Sequence, residues 1–527
     1  MSAATSHLFV VRGNIAHLAC DAWLLPTDAR ARITEAWRTV LPDLRERLDR
    51  SELDDLTGGR SLVAELAGDE ERPAPVLTAG PLEALRSPDE LRPAVRAFLE
   101  LGARIAERKR AKDLGTARFR PVPLLAMPFF GSRGGGGRLA QGSLLTTLLD
   151  EATGTAARLG VDVVLVLSDE PAYALAQQLR RSRPGSWSCL APGLLDEAER
   201  LAAEARAGRL VPFMGAGVSV TGGAPNWPGL IERLADAVAL SDAERESLLN
   251  GRRDARDQAA FLRAAFLRSP VTDDPDGGFA SAIIDIVDVR RYGLAPALLA
   301  SLRAEQAITL NYDQLFERAA EDAGLPRSVL PGDGRPSARW LLKLHGTVTD
   351  RDSIVLTRDD YIGFHAERAA YSALVAASMM TRHLLFVGFG LADDHFHEIV
   401  HDVRRAAGAP GVMTIGTVLT LRDDPLEMTI WREDLAFVRT ETEGEDRPGS
   451  SSRALEVFLD AMMALATDRH PYLLAEGFED GLDEDELVLR EELIGLGRRI
   501  EDRARRTSSW IHVERTLRDL GFGHGAD

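Results

Sequence analysis

The stretch LVPFMGAGVSVTGGAPNWPGL, Leu210–Leu230, decides how this chain is read. An apolar run meets Gly215-Ala-Gly217, then Ser219, a second glycine pair and Pro225-Asn-Trp227. The pattern predicts a buried strand that runs into a glycine turn and then a helix. Glycine lets backbone N–H groups approach an anion closely, and a helix start adds a favourable dipole. The turn therefore predicts a phosphate-sized ligand.

Three later segments have the same form, with polar groups just past the end of an apolar run. They are Thr309-Leu-Asn311-Tyr-Asp313, Lys343-Leu-His345-Gly346 and Phe386-Val-Gly388-Phe-Gly390-Leu-Ala-Asp393-Asp394. Open α/β sheets bind ligands at the carboxyl ends of their strands. After the strand that opens Leu210–Leu230, strands are predicted at Ala307–Leu310, Leu341–Leu344, Ile354–Leu356, Leu384–Val387 and Val418–Leu421, with helices between them and an apolar helix at Arg453–Ala466. This is a second α/β domain. The first precedes a Ser/Pro/Gly-rich break at Ser182–Pro192, with strands expected at Leu8–Val11, Ala22–Leu25, Pro123–Phe130 and Val161–Leu167 and helices alternating with them.

Composition fits several soluble domains. The chain has 527 residues, 45% hydrophobic and 27% charged, too long for one ordinary core. A formal net charge of -18 opposes nucleic-acid binding. No apolar run reaches membrane-spanning length, and the opening residues carry no signal-peptide pattern, so no membrane partner is expected. The only cysteines, Cys20 and Cys189, make neither a disulfide framework nor a four-cysteine zinc site. A reducing cytoplasm follows as the expected location.

Taken in order, GAGVSxxxGxPxW, TxNYDxLxE, KLHG and the late GFGxxD resemble the Sir2 family, specifically the divergent bacterial Sir2-like domains of antiphage defence proteins. The resemblance covers about Arg209 to Ala466. It implies NAD bound between a Rossmann-like parallel sheet and a smaller module. Carried over, Gly215, Ala216, Gly217 and Ser219 line the pyrophosphate. Asn311 and Asp313 sit at the nicotinamide ribose, His345 is the catalytic histidine, and Gly388 with its neighbours Gly390 and Asp393 contacts the adenosine side. Pro225, Trp227 and Thr309 complete the expected cofactor-binding set. The residues suit the chemistry. Cleavage of the nicotinamide–ribose bond passes through an oxocarbenium-like state, for which histidine supplies a base and an amide holds water without adding charge. Asp313 is expected to orient Asn311 or to stabilise positive charge on the sugar.

Protein deacylases of that family carry a zinc ribbon of two CxxC pairs. This span has no cysteine, so no zinc is expected and water is the expected acceptor. The implied activity is NAD hydrolysis to nicotinamide and ADP-ribose, serving defence by NAD depletion and gated by a trigger, by assembly into a homo-oligomer or by a partner defence protein. The alternatives are a non-catalytic NAD- or ADP-ribose-binding module, a protein ADP-ribosyltransferase, and a zinc hydrolase built on His397-Glu398-Ile-Val-His401, an HExxH pattern.

In the first domain, Val11-Arg-Gly13-Asn14-Ile15 and Cys20-Asp-Ala-Trp-Leu-Leu-Pro-Thr-Asp28, with the glycine run Gly131–Gly137, are similar to macro domains. That implies an ADP-ribose-type nucleotide, although Asn14 and Asp28 depart from the family pattern. The expected division is a macro-like α/β domain at 1–185, a Sir2-like catalytic domain at 193–467 and a helical acidic extension at 468–527.

Overall fold

The computed structural model describes the chain except residues 1–5, 29, 34, 42–45, 48, 81–84, 132–139, 271–272, 275, 333–336, 408–413, 423, 441–448, 468–469 and 524–527. Two compact units form. One is Met1–Leu190 with Asp460–Asp527, and the other is Ala191–Leu459.

The first unit is built on a six-stranded sheet of β1 (Leu8–Arg12), β2 (Ala22–Thr27), β3 (Val63–Glu65), β4 (Ala74–Ala79), β5 (Leu124–Pro128) and β6 (Asp162–Leu167). The order is β1-β6-β5-β2-β4-β3, parallel except for the antiparallel β3–β4 pair. Strands β3 and β4 do not stand out in the sequence. The central strands are apolar on both faces because helices such as Arg92–Ala111 and Gln141–Leu159 pack against them.

The residues expected as a separate extension fall in this same unit. Tyr472, Ala475 and Phe478 are buried in its core, and Asp480 accepts hydrogen bonds from the backbone N–H groups of Gly142 and Ser143, capping the helix Gln141–Leu159. Their acidic neighbourhood hides this from a composition-based reading. Asn14 and Asp28 serve local turns: Asn14 caps a short 3-10 turn through Ala16 N, and Asp28 Oδ1 accepts from Arg30 N and Arg32 N. Of the glycine run, residues 132–137 lie outside the described residues.

The second unit carries a seven-stranded, wholly parallel sheet. Its strands are β7 (Leu210–Met214), β8 (Gln306–Thr309), β9 (Ser328–Leu330), β10 (Trp340–Lys343), β11 (His383–Val387), β12 (Gly416–Thr420) and β13 (Leu435–Arg439). The order is β13-β12-β11-β7-β8-β10-β9. The chain builds outward from β7 first on one side, through β8, and later on the other, through β11. That reversal leaves a crevice at the carboxyl ends, where such sheets take ligands. Between β7 and β8 lies a helical module from Trp227 to Ala300. Its core includes Leu234, Leu262, Phe266 and Ile283.

One expected strand is corrected. Ile354–Leu356 follows a 3-10 turn as extended chain outside the sheet. Its apolar residues are bound elsewhere: Val355 N donates to His345 O, and Leu356 joins the core of the helical module. Among the described residues no helix is long and apolar enough to cross a membrane.

Candidate active site

The second unit holds a cleft of about 410 Å³ at the carboxyl ends of β7, β8, β10 and β11. Three glycines shape one wall. Gly215 N donates to Val387 O at 3.0 Å, and Gly217 N to Gly388 O at 3.0 Å. The two turns cross so closely that a Cβ on Gly215 would lie 2.4 Å from Gly388 O, and one on Gly217 would lie 2.7 Å from Gly388 Cα. Gly388 adopts φ +61, and a Cβ there would lie 2.5 Å from Val218 N. Behind the crossing Phe213, Phe386, Phe389 and Phe396 pack ring to ring at 5.0 to 6.0 Å. The contacts fix the turn against the sheet.

Asn311 follows β8. Its backbone N–H donates to Thr309 Oγ1 at 3.1 Å, and its Nδ2 donates to Gly215 O and Ser219 Oγ, each at 3.1 Å. The amide donors are thereby committed to protein, and Oδ1 is the acceptor left for a ligand. Asp313 does not orient this amide. Its Oδ1 accepts from Leu315 N, at the start of the helix Leu315–Asp322. Lys343, 1% exposed, donates to the carbonyls of Tyr312 and Asp313 and to Glu317, so the lysine of the KLHG segment pins the loop that carries Asn311.

His345 follows β10 and is 3% exposed. Burial drives its pKa down to about 4. The Asp393 carboxylate opposes the shift, while His395 and Arg368 add to it. His345 Nε2 lies 3.4 Å from Asp393 Oδ2, and that oxygen accepts from Tyr361 Oη at 3.0 Å. Tyr361 stacks on His395 at 4.6 Å, and the Arg256 guanidinium lies 5.3 Å from the Tyr361 ring. Arg256 also pairs with Asp254 and with Asp394.

Of the expected residues, Gly215, Ala216, Ser219, Pro225, Trp227, Asn311, Asp313, His345, Gly388, Gly390 and Asp393 line the cleft together. Gly217 and Thr309 stand behind the wall and support it. Around Gly390 nothing would meet a Cβ within 4 Å. Trp227 Nε1 is buried and has no hydrogen-bond partner among the described residues, which leaves an indole donor in the wall. Arg256, Tyr361 and His395 escape the sequence reading because no motif marks them. Arg256 comes from the helical module, Tyr361 from the helix Arg358–Thr381 and His395 from the helix Asp394–Ala407, and only the fold brings them together.

The HExxH residues form no ligand set. His397, Glu398 and His401 are exposed on the helix Asp394–Ala407, and His397 Nε2 lies 2.8 Å from Leu391 O. Among the described residues, the group able to hold a metal ion is His345, Asp393 and His395, with ligand atoms within 4.8 Å of one another.

The buried histidine carries a pH signature. In the unfolded chain its pKa is the ordinary 6.5, and in the folded protein about 4. Protons therefore bind the unfolded state preferentially between these values. The contribution to stability is complete above pH 6.5 and is lost as pH falls toward 4, on the order of 3 kcal/mol. Thermal unfolding between pH 7 and pH 4.5 is expected to show this extra acid loss in wild type and not in His345→Gln. Equal acid losses would contradict it.

Residues 305–436 match the SIR2-like domain family. The chain is 26% identical over 204 residues to an NAD(+) hydrolase ThsA of Enterococcus faecium, covering 37% of this chain and 40% of the relative. It is 26% identical over 212 residues to Defense-associated sirtuin 2 of Bacillus subtilis, covering 38% of this chain and 20% of that protein. The match thus spans less than half the length of these curated relatives. A solved Trypanosoma brucei macrodomain in complex with ADP-ribose aligns at a TM-score of 0.24 and 18% identity, over 33% of this chain and 68% of that one.

Proposed function

We propose that the cleft of the second unit binds NAD and hydrolyses it to nicotinamide and ADP-ribose in defence against phage. The observation that carries this reading is the convergence of Asn311 Oδ1, the neutral His345 and the glycine crossing in one cleft. The SIR2-like match and the names of the relatives support it.

The pyrophosphate lies at the Gly215–Ser219 turn, and the indole N–H of Trp227 donates to the ligand. Asn311 Oδ1 holds the attacking water or a ribose hydroxyl. His345, neutral across the physiological range, takes its proton as the nicotinamide leaves. Asp313 and Asp393 supply negative charge beside the oxocarbenium-like sugar. No metal takes part. Because burial places the His345 pKa at about 4, kcat/KM is expected to stay level from pH 8 down to about 5. An acid limb centred at 6.5 would place the base elsewhere.

A second part of the proposal concerns the first unit, where the Val11–Ile15 and Cys20–Asp28 segments suggest an ADP-ribose-type nucleotide as the signal that, with assembly, gates turnover. Calorimetric titration of the full chain with ADP-ribose is expected to give saturable binding that Asn311→Ala leaves in place. NAD labelled in its adenine tests the chemistry itself. Free labelled ADP-ribose is the expected product. Label bound to protein would favour an ADP-ribosyltransferase, and intact NAD that binds saturably would favour a non-catalytic module.

A further inference from the structure

A second set of reactive side chains lies in the first unit, apart from the cleft. Asp460, fully buried, accepts from His7 Nε2 at 2.8 Å, from Arg180 through both guanidinium Nη atoms, and from Trp187 Nε1 at 3.2 Å. His7, 4% exposed, presents its other ring nitrogen to a thiol: Nδ1 lies 3.6 Å from Cys189 Sγ. Cys189 is half-buried, in the segment that the sequence reads as a break, whereas Cys20 is 2% exposed. A thiol, an imidazole and a carboxylate thus stand in line, a nucleophile with its base and the group that orients the base.

We propose that Cys189, His7 and Asp460 form a thiol–imidazole–carboxylate relay and that Cys189 is a site of oxidation by hydroperoxides. The carboxylate fixes the tautomer, because Nε2–H donates to Asp460 and Nδ1 is left to accept the thiol proton. Burial opposes a charged His7, but its bonds to Asp460 and Cys189 outweigh it and raise the pKa above 6.5, so the ring is a competent base near neutrality. The step balances. The Cys189 S–H proton passes to His7 Nδ1, and Sγ attacks the distal oxygen of the peroxide. The S–O bond forms as the O–O bond breaks, and the leaving oxygen takes the proton back from Nδ1. Sulfur is oxidised by two electrons to sulfenic acid, and the hydroperoxide is reduced to an alcohol, or to water when it is hydrogen peroxide. The half-buried thiol admits a small oxidant of this kind. Nothing in the relay depends on the NAD reading.

The test treats the full-length chain at pH 7 with hydrogen peroxide below equivalence, traps sulfenic acid with a cyclic 1,3-dione, and maps the label by mass spectrometry. Cys189 is expected to react at least about tenfold faster than N-acetylcysteine, with Cys20 unlabelled. His7→Gln is expected to bring Cys189 down to the rate of the free thiol, with Cys20 still protected as the internal sign that the unit is folded. A wild-type Cys189 rate at or below that of N-acetylcysteine overturns the proposal and needs no variant. So does a rate unchanged in a folded His7→Gln chain.

Discussion

Nicotinamide release from NAD is expected to fall by about a hundredfold or more in Asn311→Ala, with thermal stability changed far less. The amide is held from two sides, by Gly215 O and by Ser219 Oγ, while its own N–H is fixed by Thr309 Oγ1. An acceptor pre-positioned this way needs no reorganisation when the sugar gains positive charge, and such groups carry large shares of rate enhancement. His345→Gln is expected to cost at least as much, because glutamine keeps the volume but cannot take a proton. The pair separates two roles. A loss confined to kcat in both variants fits groups that act on the reacting atoms, whereas a loss confined to KM would reassign them to binding. Trp227→Phe, which removes only the indole donor, is expected to raise KM several-fold and leave kcat nearly unchanged.

The second large effect is on the turn itself. Gly388→Ala is expected to destabilise the second unit by about 3 kcal/mol or more and to abolish NAD turnover with it. An added Cβ would meet Val218 N at 2.5 Å and Gly217 C at 2.7 Å, both backbone atoms that cannot swing aside, and φ +61 is itself strained for alanine. Gly390→Ala, two residues on, meets nothing within 4 Å and is expected to stay within about 0.5 kcal/mol of wild type. Chemical denaturation of the two variants side by side checks the contrast. Equal destabilisation would mean that the glycine crossing is not what shapes the cleft wall.

The parts of this site that are legible in the sequence are those where one strand end carries its own chemistry. An apolar run followed by Gly215-Ala-Gly217, or by Asn311, or by His345, already states both the strand and the polar group beyond it. Edge strand β9 has only three residues, all half-buried, and edge strand β13 is as long as its neighbours but mostly half-buried; neither leaves such a trace. Ile354–Leu356 has the apolarity of a strand but spends it on His345 and the helical module. Arg256, Tyr361 and His395 belong to separate segments whose nearness is purely tertiary, and Asp313, read as a partner of Asn311, accepts from Leu315 N instead. The C-terminal residues mislead for a different reason. Their acidic surface dominates composition, while Tyr472, Ala475 and Phe478, which tie them into the first unit, are too few to register.

Whether this cleft cleaves NAD is read from nicotinamide release by the purified full chain at pH 7. It is run across a range of protein concentrations, with and without ADP-ribose, beside Asn311→Ala and His345→Gln. Wild type is expected to release nicotinamide under at least one of these conditions, both variants are expected to be silent under all of them, and release depends steeply on protein concentration if assembly is the gate. Release that persists in both variants, or NAD left intact by wild type at every concentration with and without ADP-ribose, would contradict it.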